Sequence, residues 1–360
     1  DPVQQIKQIA STLESNAEPT GVLPTVSVVI PTINRPQMLA TCLRSLEKLN
    51  DKPLEIIVVD NDPATSISAE VVAQFPQVTY LAQPRTGASQ ARNLGVQHSS
   101  GEIVAFVDDD EEVHSDWLTH LIQAFNRPEI ACTTGLVLPC AIETEAQDFF
   151  ESRFSFVRGY RPVVFAQTFF EQRQLGGVPV WDIGGSGNMA VRREIFLRLG
   201  GFDERLGGGH AGCSEDTEFF YRLLNSGWEI SYAPRAICFH DHRIDREGLK
   251  RQIYSYMRGH VTALLVQFLK TKNANNLTRL FCVLPFVYLK YLMLGLLQDQ
   301  KFPFWTLRLE ILGCLSGFVY FWQNRRFWQT TNSYLTPLDG RQDQRTTFQL
   351  GKVELENNPR

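Results

Sequence analysis

The chain has 360 residues, 43% of them hydrophobic, which suffices for a sizeable core and suggests two domains or one domain with an appendage. Its formal net charge is −4, from 35 basic and 39 acidic residues, so it lacks the basic excess of a duplex-binding protein and nucleic acid is not an expected partner. Seven scattered cysteines, odd in number and without a C-x-x-C pair, argue against a disulfide framework or zinc knuckle and read as mostly buried thiols of a reducing compartment.

Residues 1–24 form a polar arm with one modest helical stretch, Ile6 to Leu13, and no secretory pattern opens the sequence. From Thr25 the texture changes. Val26-Ser27-Val28-Val29-Ile30 is a β-branched apolar run that reads as a buried parallel strand. Apolar residues at helical spacing follow from Met38 to Leu49. Glu55 to Asp60 is a second buried strand, Ile67 to Phe75 a helix and Val78 to Leu81 a short strand. Ala88 to His98 is a helix, and Ile103 to Val107 a further apolar strand. Strands alternating with helices across short loops predict a doubly wound parallel sheet, whose ligands gather beyond the carboxyl ends of the strands. Those ends carry Pro31-Thr32-Ile33-Asn34-Arg35, Asp60-Asn61-Asp62 and Asp108-Asp109-Asp110.

Leu136 to Val180 is less regular and reads as an insertion or mixed-sheet region. Gly184 to Asn188 is a tight turn into Met189-Ala190-Val191, and Glu215 to Asn225 a helix. Ile230 to Ala233 and Ala236 to Phe239 are two short strands. After Arg246 the chain is helical and apolar, with runs at Phe281 to Leu297 and Phe304 to Trp322. A span needs roughly 20 mostly apolar residues. The first run is slightly short and the second carries Arg308 and Glu310. Trp305, Trp322, Trp328, Tyr288, Tyr291 and Tyr320 are candidate interfacial anchors. Lys272, Arg279, Arg325 and Arg326 can face anionic headgroups. The competing reading is a buried helix pair or a dimer interface. Residues 336–360 form a polar tail.

Asp108 to Asp110 follow a buried strand, and alternation in extended chain places Asp108 and Asp110 on one side with Asp109 turned away. Two such carboxylates make a hard-oxygen site for Mg²⁺ or Mn²⁺, able to offset diphosphate charge; the bland alternative is a solvated acidic turn. Glu215 and Asp216 open a helix, where acids also simply answer the helix dipole.

The ordered series Val28-Val29-Ile30-Pro31-Thr32, Val58-Val59-Asp60-Asn61, Gly87 to Gly95, Phe106 to Asp110, Gly187-Asn188-Met189-Ala190, Gly200 to Glu204 and Ser214-Glu215-Asp216 resembles glycosyltransferase family 2 over roughly Val26 to His242. The resemblance implies an α/β GT-A nucleotide-sugar fold: a Rossmann-like mixed, mostly parallel sheet flanked by helices, then a helical apolar C-terminal region. The expected division is a catalytic domain 25–245, with nucleotide half 25–112 and acceptor half 113–245, and an apolar helical region 246–335 that is a candidate for membrane association. The resemblance implies an inverting transfer of one sugar from a nucleotide-diphosphate sugar, a UDP-sugar by preference, to a hydroxyl acceptor in polysaccharide or glycolipid synthesis.

By the same resemblance, Asp60 reads the base, Pro31, Thr32, Asn34 and Arg35 hold the nucleoside, and Gly87 and Asp109 join the donor site. Arg92, or Arg85, meets phosphate or base unless it makes a structural ion pair. Asp108 lies near the ribose and shares with Asp110 and His240 a divalent metal, Mn²⁺ or Mg²⁺. His242 is a weaker candidate ligand. Asp216 is the base with Glu215 in support. Gly185, Ser186 and Gly187 lie under donor sugar and acceptor, and Trp181 with Asp182 suits a sugar, ring on C–H groups and acid on hydroxyls. Gly207 to Gly212 is a candidate lid, and no P-loop Gly-Lys-Ser/Thr follows it. The expected partners are the donor, a sugar or lipid-linked acceptor and a membrane surface, placing the protein peripherally on the cytoplasmic face. Two alternatives are a sugar-phosphate nucleotidyltransferase, which would want a basic Gly-rich loop after the first strand, and a non-catalytic nucleotide-sugar binder. No Gln-x-x-Arg-Trp pattern of a processive synthase is present.

Overall fold

The computed structural model describes residues 24–172, 176–297 and 304–324, so the expected helix at Ile6 to Leu13 and the polar tail lie outside the described residues. Val26–Thr32 (β1) is buried along its whole length. It pairs in parallel with Glu55–Asp60 (β2) on one side and Ile103–Phe106 (β4) on the other, and β2 pairs in parallel with Val78–Ala82 (β3). Helices Pro36–Glu47 (α1), Ile67–Val72 (α2) and Ala88–His98 (α3) connect these strands, as the alternation predicts.

The second half holds Glu111–Val113 (β5), Trp117–Gln123 (α4), Ile130–Pro139 (β6), Glu145–Phe154 (α5), Val163–Phe165 (β7) and Gln167–Gln172 (α6). Met189–Arg192 (β8), Arg193–Arg198 (α7), Glu215–Asn225 (α8) and Glu229–His240 (β9) follow. The sheet runs β3-β2-β1-β4-β8-β6-β9-β5, with β7 on β9. The sheet is mixed and mostly parallel, as expected. β8 is antiparallel to both β4 and β6, while β6 and β9 are parallel to each other. Because β8 opens with Met189 opposite Phe106, the turn before it enters at the rim where Asp108 leaves.

Apolar residues on both faces of β1 place it between two helical layers. Val28 and Ile30 pack with Leu39, Leu43 and Leu46 of α1 and Trp117 and Leu121 of α4. Val29 packs with Ala91 and Val96 of α3, Phe196 of α7, and Phe219 and Phe220 of α8. Each such fully buried ring or branched side chain is worth roughly 1.5–3 kcal/mol over an exposed one. β6, fully buried over ten residues, is not among the expected strands and overlaps the region read as irregular only from Leu136 to Pro139; Thr133, Thr134 and Gly135 interrupt its apolar pattern. Gly135 is required, since a Cβ there would lie 2.2 Å from the Ala236 carbonyl oxygen. The two short strands expected at 230–239 are one strand, with a register irregularity opposite Gly135 and Leu136.

Arg246–Thr271 (α9) is followed by Asn275–Thr278 (α10), a π-helical turn at Arg279–Val283, Leu284–Leu297 (α11) and Phe304–Gln323 (α12). α12 packs on α9 through Thr306, Leu307, Glu310, Gly313 and Gly317. A Cβ at Gly313 would meet the Tyr254 carbonyl at 2.5 Å and one at Gly317 the Arg258 carbonyl at 2.8 Å, so small residues four apart let the backbones approach. Glu310 is buried against Arg153 at 3.3 Å. The other side of this pair is open: Phe286, Leu289, Met293, Leu312, Leu315, Val319 and Trp322 are exposed. Stretches of 21 and 20 residues here are long and apolar enough to cross a membrane. A buried core pair is thus not what these helices form.

Several expected anchors turn inward. Tyr320 donates to the Arg205 carbonyl, Tyr288 lies against Cys314, and Trp305 lies under the Arg246 guanidinium. Trp328, Arg325 and Arg326 lie outside the described residues. No disulfide joins the seven cysteines; Cys42, Cys132 and Cys238 are buried and Cys282 is exposed.

Candidate active site

The ends of β1, β2 and β4, the start of β8 and α8, and the end of β9 meet at one rim of the sheet. Asp108 to Asp110 are not extended there but form a turn, so strict alternation does not govern their directions. Arg35 instead joins Asp109 and Asp110, donating from Nη1 to Asp109 Oδ1 at 2.9 Å and to Asp110 Oδ2 at 2.8 Å. Thr32 donates its hydroxyl to Asp109 Oδ2 at 2.8 Å. Burial, followed by repulsion from Asp110, pushes the Asp109 carboxyl up to about 6 against the pull of Arg35. Asp108 points to another partner. Arg92, buried on α3, donates to Asp108 Oδ1 at 2.5 Å and to Glu215 Oε1 at 2.9 Å, tying the strand end to the first turn of α8. Burial, then Asp216, raises the Glu215 carboxyl to about 7, with Arg92 acting the other way.

Asp216 is different. Its Oδ2 accepts the Ser186 backbone N–H at 3.1 Å and its Oδ1 the Thr217 N–H at 2.6 Å, and no cation pairs with it among the described residues. A Cβ on Gly187 would strike the Glu111 carboxylate at 2.6 Å and one on Gly184 the Thr134 Cβ at 2.7 Å, so the turn needs glycine at both, whereas a Cβ on Gly185 would only touch Asp216 Oδ2 at 3.6 Å. Asn188, which the sequence offered only as a motif letter, locks the turn. It accepts from Trp117 Nε1 at 2.8 Å and donates to the carbonyls of Leu136 and Ala236 at 3.0 and 2.9 Å.

His240 Nε2 faces Asp110 Oδ1 at 3.7 Å. Behind it stands a relay that sequence reasoning missed, because Glu151 lies 91 residues from His242. His242 Nε2 meets Glu151 Oε1 at 2.7 Å, and the two histidines meet Nδ1 to Nδ1 at 2.7 Å. The Glu151 carboxylate accepts a hydrogen bond from His242 Nε2–H, so in neutral His242 Nδ1 accepts and His240 Nδ1–H donates. Burial pushes the His240 imidazole down although it faces Asp110, which keeps it neutral. Its Nε2 therefore turns a lone pair, not a hydrogen, toward a carboxylate oxygen. Two lone-pair groups so placed fit one divalent cation, and the oxygen–imidazole set suits Mn²⁺. Asp108, expected as a further ligand, is paired with Arg92, as Asp110 is with Arg35. Among the described residues no three His, Cys, Asp or Glu side chains form a metal-holding group. Asp110 and His240 are thus a partial set that phosphate oxygens and water would complete.

The remaining expected residues are placed as follows. Asp60 is wholly buried at the end of β2; its oxygens accept from the Asp62 N–H at 3.0 Å and the Tyr80 hydroxyl at 2.9 Å. Pro31 is buried within β1, and Asn34, exposed at φ 52°, donates to Asp62 Oδ2 at 2.7 Å. Gly87 N–H donates to Asn61 Oδ1 at 2.5 Å. Arg85 makes an exposed pair with Glu204 at 3.4 Å, while Arg92 is held in the interior by Asp108 and Glu215. The Gly207 to Gly212 loop crosses the Gly87 turn, where His210 Nε2 lies 2.9 Å from the Thr86 carbonyl, and Arg258 donates to the carbonyls of His210 and Ala211 at 2.8 Å. Trp181 and Asp182 lie on a turn packed against α8, but the Trp181 ring is covered by the Arg279 guanidinium at 3.8 Å. Arg279 thus occupies one face of that ring and does not face outward as expected.

Comparison with known proteins agrees with this arrangement. Residues 27–200 match the glycosyl transferase family 2 model. The chain is 29% identical over 239 residues to the pre-mycofactocin glycosyltransferase of Mycobacterium tuberculosis, covering 64% of this chain and 45% of that protein. It is 31% identical to the succinoglycan biosynthesis protein ExoM of Rhizobium meliloti, covering 59% and 65%. To the beta-monoglucosyldiacylglycerol synthase of Trichormus variabilis it is 26% identical, covering 59% and 44%. The chain thus spans about half to two thirds of the length of these curated relatives. Among solved structures, a mannosyltransferase from Pyrobaculum calidifontis in complex with GDP-Man and Mn²⁺ shares the fold, with a TM-score of 0.54 at 17% identity over 88% of this chain and 94% of that one. A mixed, mostly parallel sheet between two helical layers, the acids at its rim and these relatives together place the chain in glycosyltransferase family 2, on a GT-A fold.

Proposed function

We propose that the protein transfers a single sugar from a nucleotide-diphosphate sugar to an acceptor hydroxyl with inversion at the anomeric carbon. The observation that carries this reading is the division of labour among the rim carboxylates. Asp108, Asp109, Asp110 and Glu215 are each engaged by Arg35 or Arg92, whereas Asp216 has only backbone and hydroxyl donors. An unneutralised carboxylate held by a backbone N–H is suited to take the proton of an attacking hydroxyl. Glu215 stands beside it and fixes Arg92.

Asp110 and His240 would hold the divalent cation, which when bound offsets the charge of the departing nucleoside diphosphate. Arg35 and Thr32 orient the donor side, and Asp60 would read a uracil-type base, with the Tyr80 hydroxyl sharing its oxygen. The fold neighbour's complex with GDP-Man and Mn²⁺ supports a nucleotide-diphosphate-sugar donor with a divalent cation, though its base is guanine and not uracil. A nucleotidyltransferase is less well supported: the loop after β1, Ile33-Asn34-Arg35, has no glycine-rich triphosphate cradle.

The acceptor is proposed to be membrane-borne. Residues 246–324 carry ten basic and three acidic residues in a chain that is acidic overall. That charge suits an anionic bilayer surface, and the exposed face of α11 and α12 suits its acyl boundary. Because Glu310, Gly313 and Gly317 fasten α12 to α9 and to the catalytic domain, the helix pair lies in the interface rather than crossing it. Polysaccharide and glycolipid synthesis, the settings of two relatives, both supply such acceptors. The test is donor turnover and transfer with Mn²⁺, in wild type and Asp216→Asn. Full transfer activity in the variant removes the base assignment and with it this reading.

A further inference from the structure

The backbone that delivers Asp216 to the rim is a loop, Asp203 to Ser214, held between two unlike neighbours. On the sheet side, Ala88 N–H donates to the Gly208 carbonyl at 3.0 Å and the Ser89 hydroxyl to the Leu206 carbonyl at 3.0 Å, so the loop is fastened to the Gly87 turn and the start of α3. Within the loop, Gly207 N–H donates to the Cys213 carbonyl at 3.2 Å and Gly212 N–H to the Gly207 carbonyl at 2.9 Å, which closes it on itself. It ends in Ser214 at φ 73°, a left-handed conformation that a residue with a side chain keeps only where its surroundings impose it. Glu215 and Asp216 follow at once.

The imposing surroundings are α9 and α12. A Cβ on Gly259 would lie 2.6 Å from Cys213 Sγ and 2.7 Å from the Cys213 carbonyl oxygen, so the middle of α9 carries glycine, a poor helix residue, to let the loop approach. Beside it, Arg258 donates from Nε to the Ala211 carbonyl and from Nη2 to the His210 carbonyl, both at 2.8 Å. Such charge-assisted bonds are roughly twice as strong as neutral ones. The Tyr320 ring of α12 lies 5.8 Å from the same guanidinium, and its hydroxyl donates to the Arg205 carbonyl at 3.1 Å. Leu206 and Ala211 are buried against Ala263 and Tyr320. The Arg258 carbonyl accepts the Thr262 hydroxyl at 2.7 Å and lies against Gly317 of α12. One residue thus meets α12 through its backbone and the loop through its side chain.

We infer that Arg258 is a positioning residue of the transfer. Through the His210 and Ala211 carbonyls it keeps the loop seated on the Gly87 turn and Ser214 in its left-handed conformation, and so sets the donor turn and Asp216 relative to each other. It acts through the loop and meets no reacting atom. By the same contacts the helix pair read above as seated on a bilayer is also a wall of the catalytic unit. This goes beyond the sugar-transfer reading in naming what aligns the site, and rests on it for the role of Asp216.

The test is amide hydrogen exchange by mass spectrometry on the full chain, in wild type, Arg258→Met, Arg258→Lys, Tyr320→Phe and Leu280→Ala. Two amides report away from α9, each in the peptide that carries it: Ala88, bonded to the loop, and Ser186, bonded to Asp216 Oδ2. Arg258→Met should speed both by roughly 10- to 100-fold, the range for losing one charge-assisted hydrogen bond. Arg258→Lys, which keeps the charge, should fall between it and wild type. Tyr320→Phe should give about 2- to 10-fold, as for a neutral bond, and reads the same relation if Arg258→Met does not fold. Leu280 is buried with Val261, Leu264 and Leu284, away from the loop, so Leu280→Ala should lower Tm and leave both amides as they were. A rise confined to residues 205–214 overturns the proposal. So does an equal rise at Ala88 and Ser186 in Leu280→Ala, which would mark general loosening. UDP titration with Mn²⁺ is the second arm. Arg258→Met should bind UDP at least about 5-fold more weakly, the lower end for coupled sites, while Leu280→Ala matches wild type. Equal UDP affinity in Arg258→Met and wild type overturns the proposal as well. A wild type that binds no UDP would remove the nucleotide-sugar reading and leave the exchange rates to decide this one.

Discussion

Asp216 accepts the backbone N–H of Ser186 at 3.1 Å, which fastens the first turn of α8 to the glycine turn that enters β8. Asp216→Asn keeps an oxygen for that bond and removes the base. We expect kcat to fall by about 10²- to 10⁴-fold, the usual worth of a positioned general base. Donor KM and thermal unfolding should stay near wild type. Single-turnover transfer checks it; a drop confined to donor KM would instead place Asp216 in donor binding.

Arg92 stands between Asp108 and Glu215, with its own side chain 4% exposed and theirs 31% and 9%. Arg92→Met leaves two acids without their cation. Breaking a buried pair costs about 3–5 kcal/mol, and the part-exposed Asp108 puts this one near the lower end. Glu215→Gln added to Arg92→Met should recover part of the loss in urea unfolding. Strict additivity of the two substitutions would show that the pair is not coupled.

The pair Asp203 and Glu218 governs acid stability. Burial alone would raise the Asp203 carboxyl, but Lys270 and Arg205 outweigh it and hold it below its ordinary range. Glu218 is lowered likewise, Arg222 and Lys270 overcoming its burial. Folded values below unfolded ones mean stabilisation that is present above the unfolded carboxyl range and lost as pH falls below about 4. Asp203→Asn should lower Tm at pH 7 and flatten its fall between about pH 5 and 3. Parallel Tm-against-pH curves for the two proteins would contradict this.

Glu151 sets the proton on His242, and through it the lone pair of His240. Glu151→Gln should weaken Mn²⁺ binding by about 10-fold or more, as loss of such an orienting partner commonly does. Manganese titration followed by electron paramagnetic resonance reads this without turnover. An unchanged affinity would show that the relay does not orient the imidazole.

Leu289 and Met293 lie on the exposed face of α11. Leu289→Glu with Met293→Glu should reduce flotation with phosphatidylglycerol vesicles by at least about 10-fold, since two buried apolar groups at roughly 1.5–3 kcal/mol each are lost. Raising salt should weaken wild-type binding as well. Flotation that is unaltered by both changes would point to another occupant of this face.

The parts of this fold written in local pattern were legible. Apolar runs at β1, β2 and β4 and the helix at 215–225 need only their own residues to be recognised. The rim acids could be placed because a parallel strand delivers its carboxyl end to a known edge. β6 could not be read, because Thr133, Thr134 and Gly135 are buried there by partners elsewhere in the chain: the Thr134 hydroxyl donates to the Ile183 carbonyl, and Gly135 yields to Ala236. The insertion of β8 antiparallel between β4 and β6 is a matter of pairing, which no single segment records.

From the sequence alone followed the class of sheet, the order of the motifs and the residue types gathered at the rim, since periodicity and strand ends are local properties. Which acid each arginine would neutralise, and hence that Asp216 alone of these acids keeps its charge unpaired, was decided by contacts between residues up to 123 positions apart. The same holds for Glu151 behind the histidines and for Arg279 on Trp181. Coulombic pairing and burial depend on distance in space, and only the folded chain sets that distance.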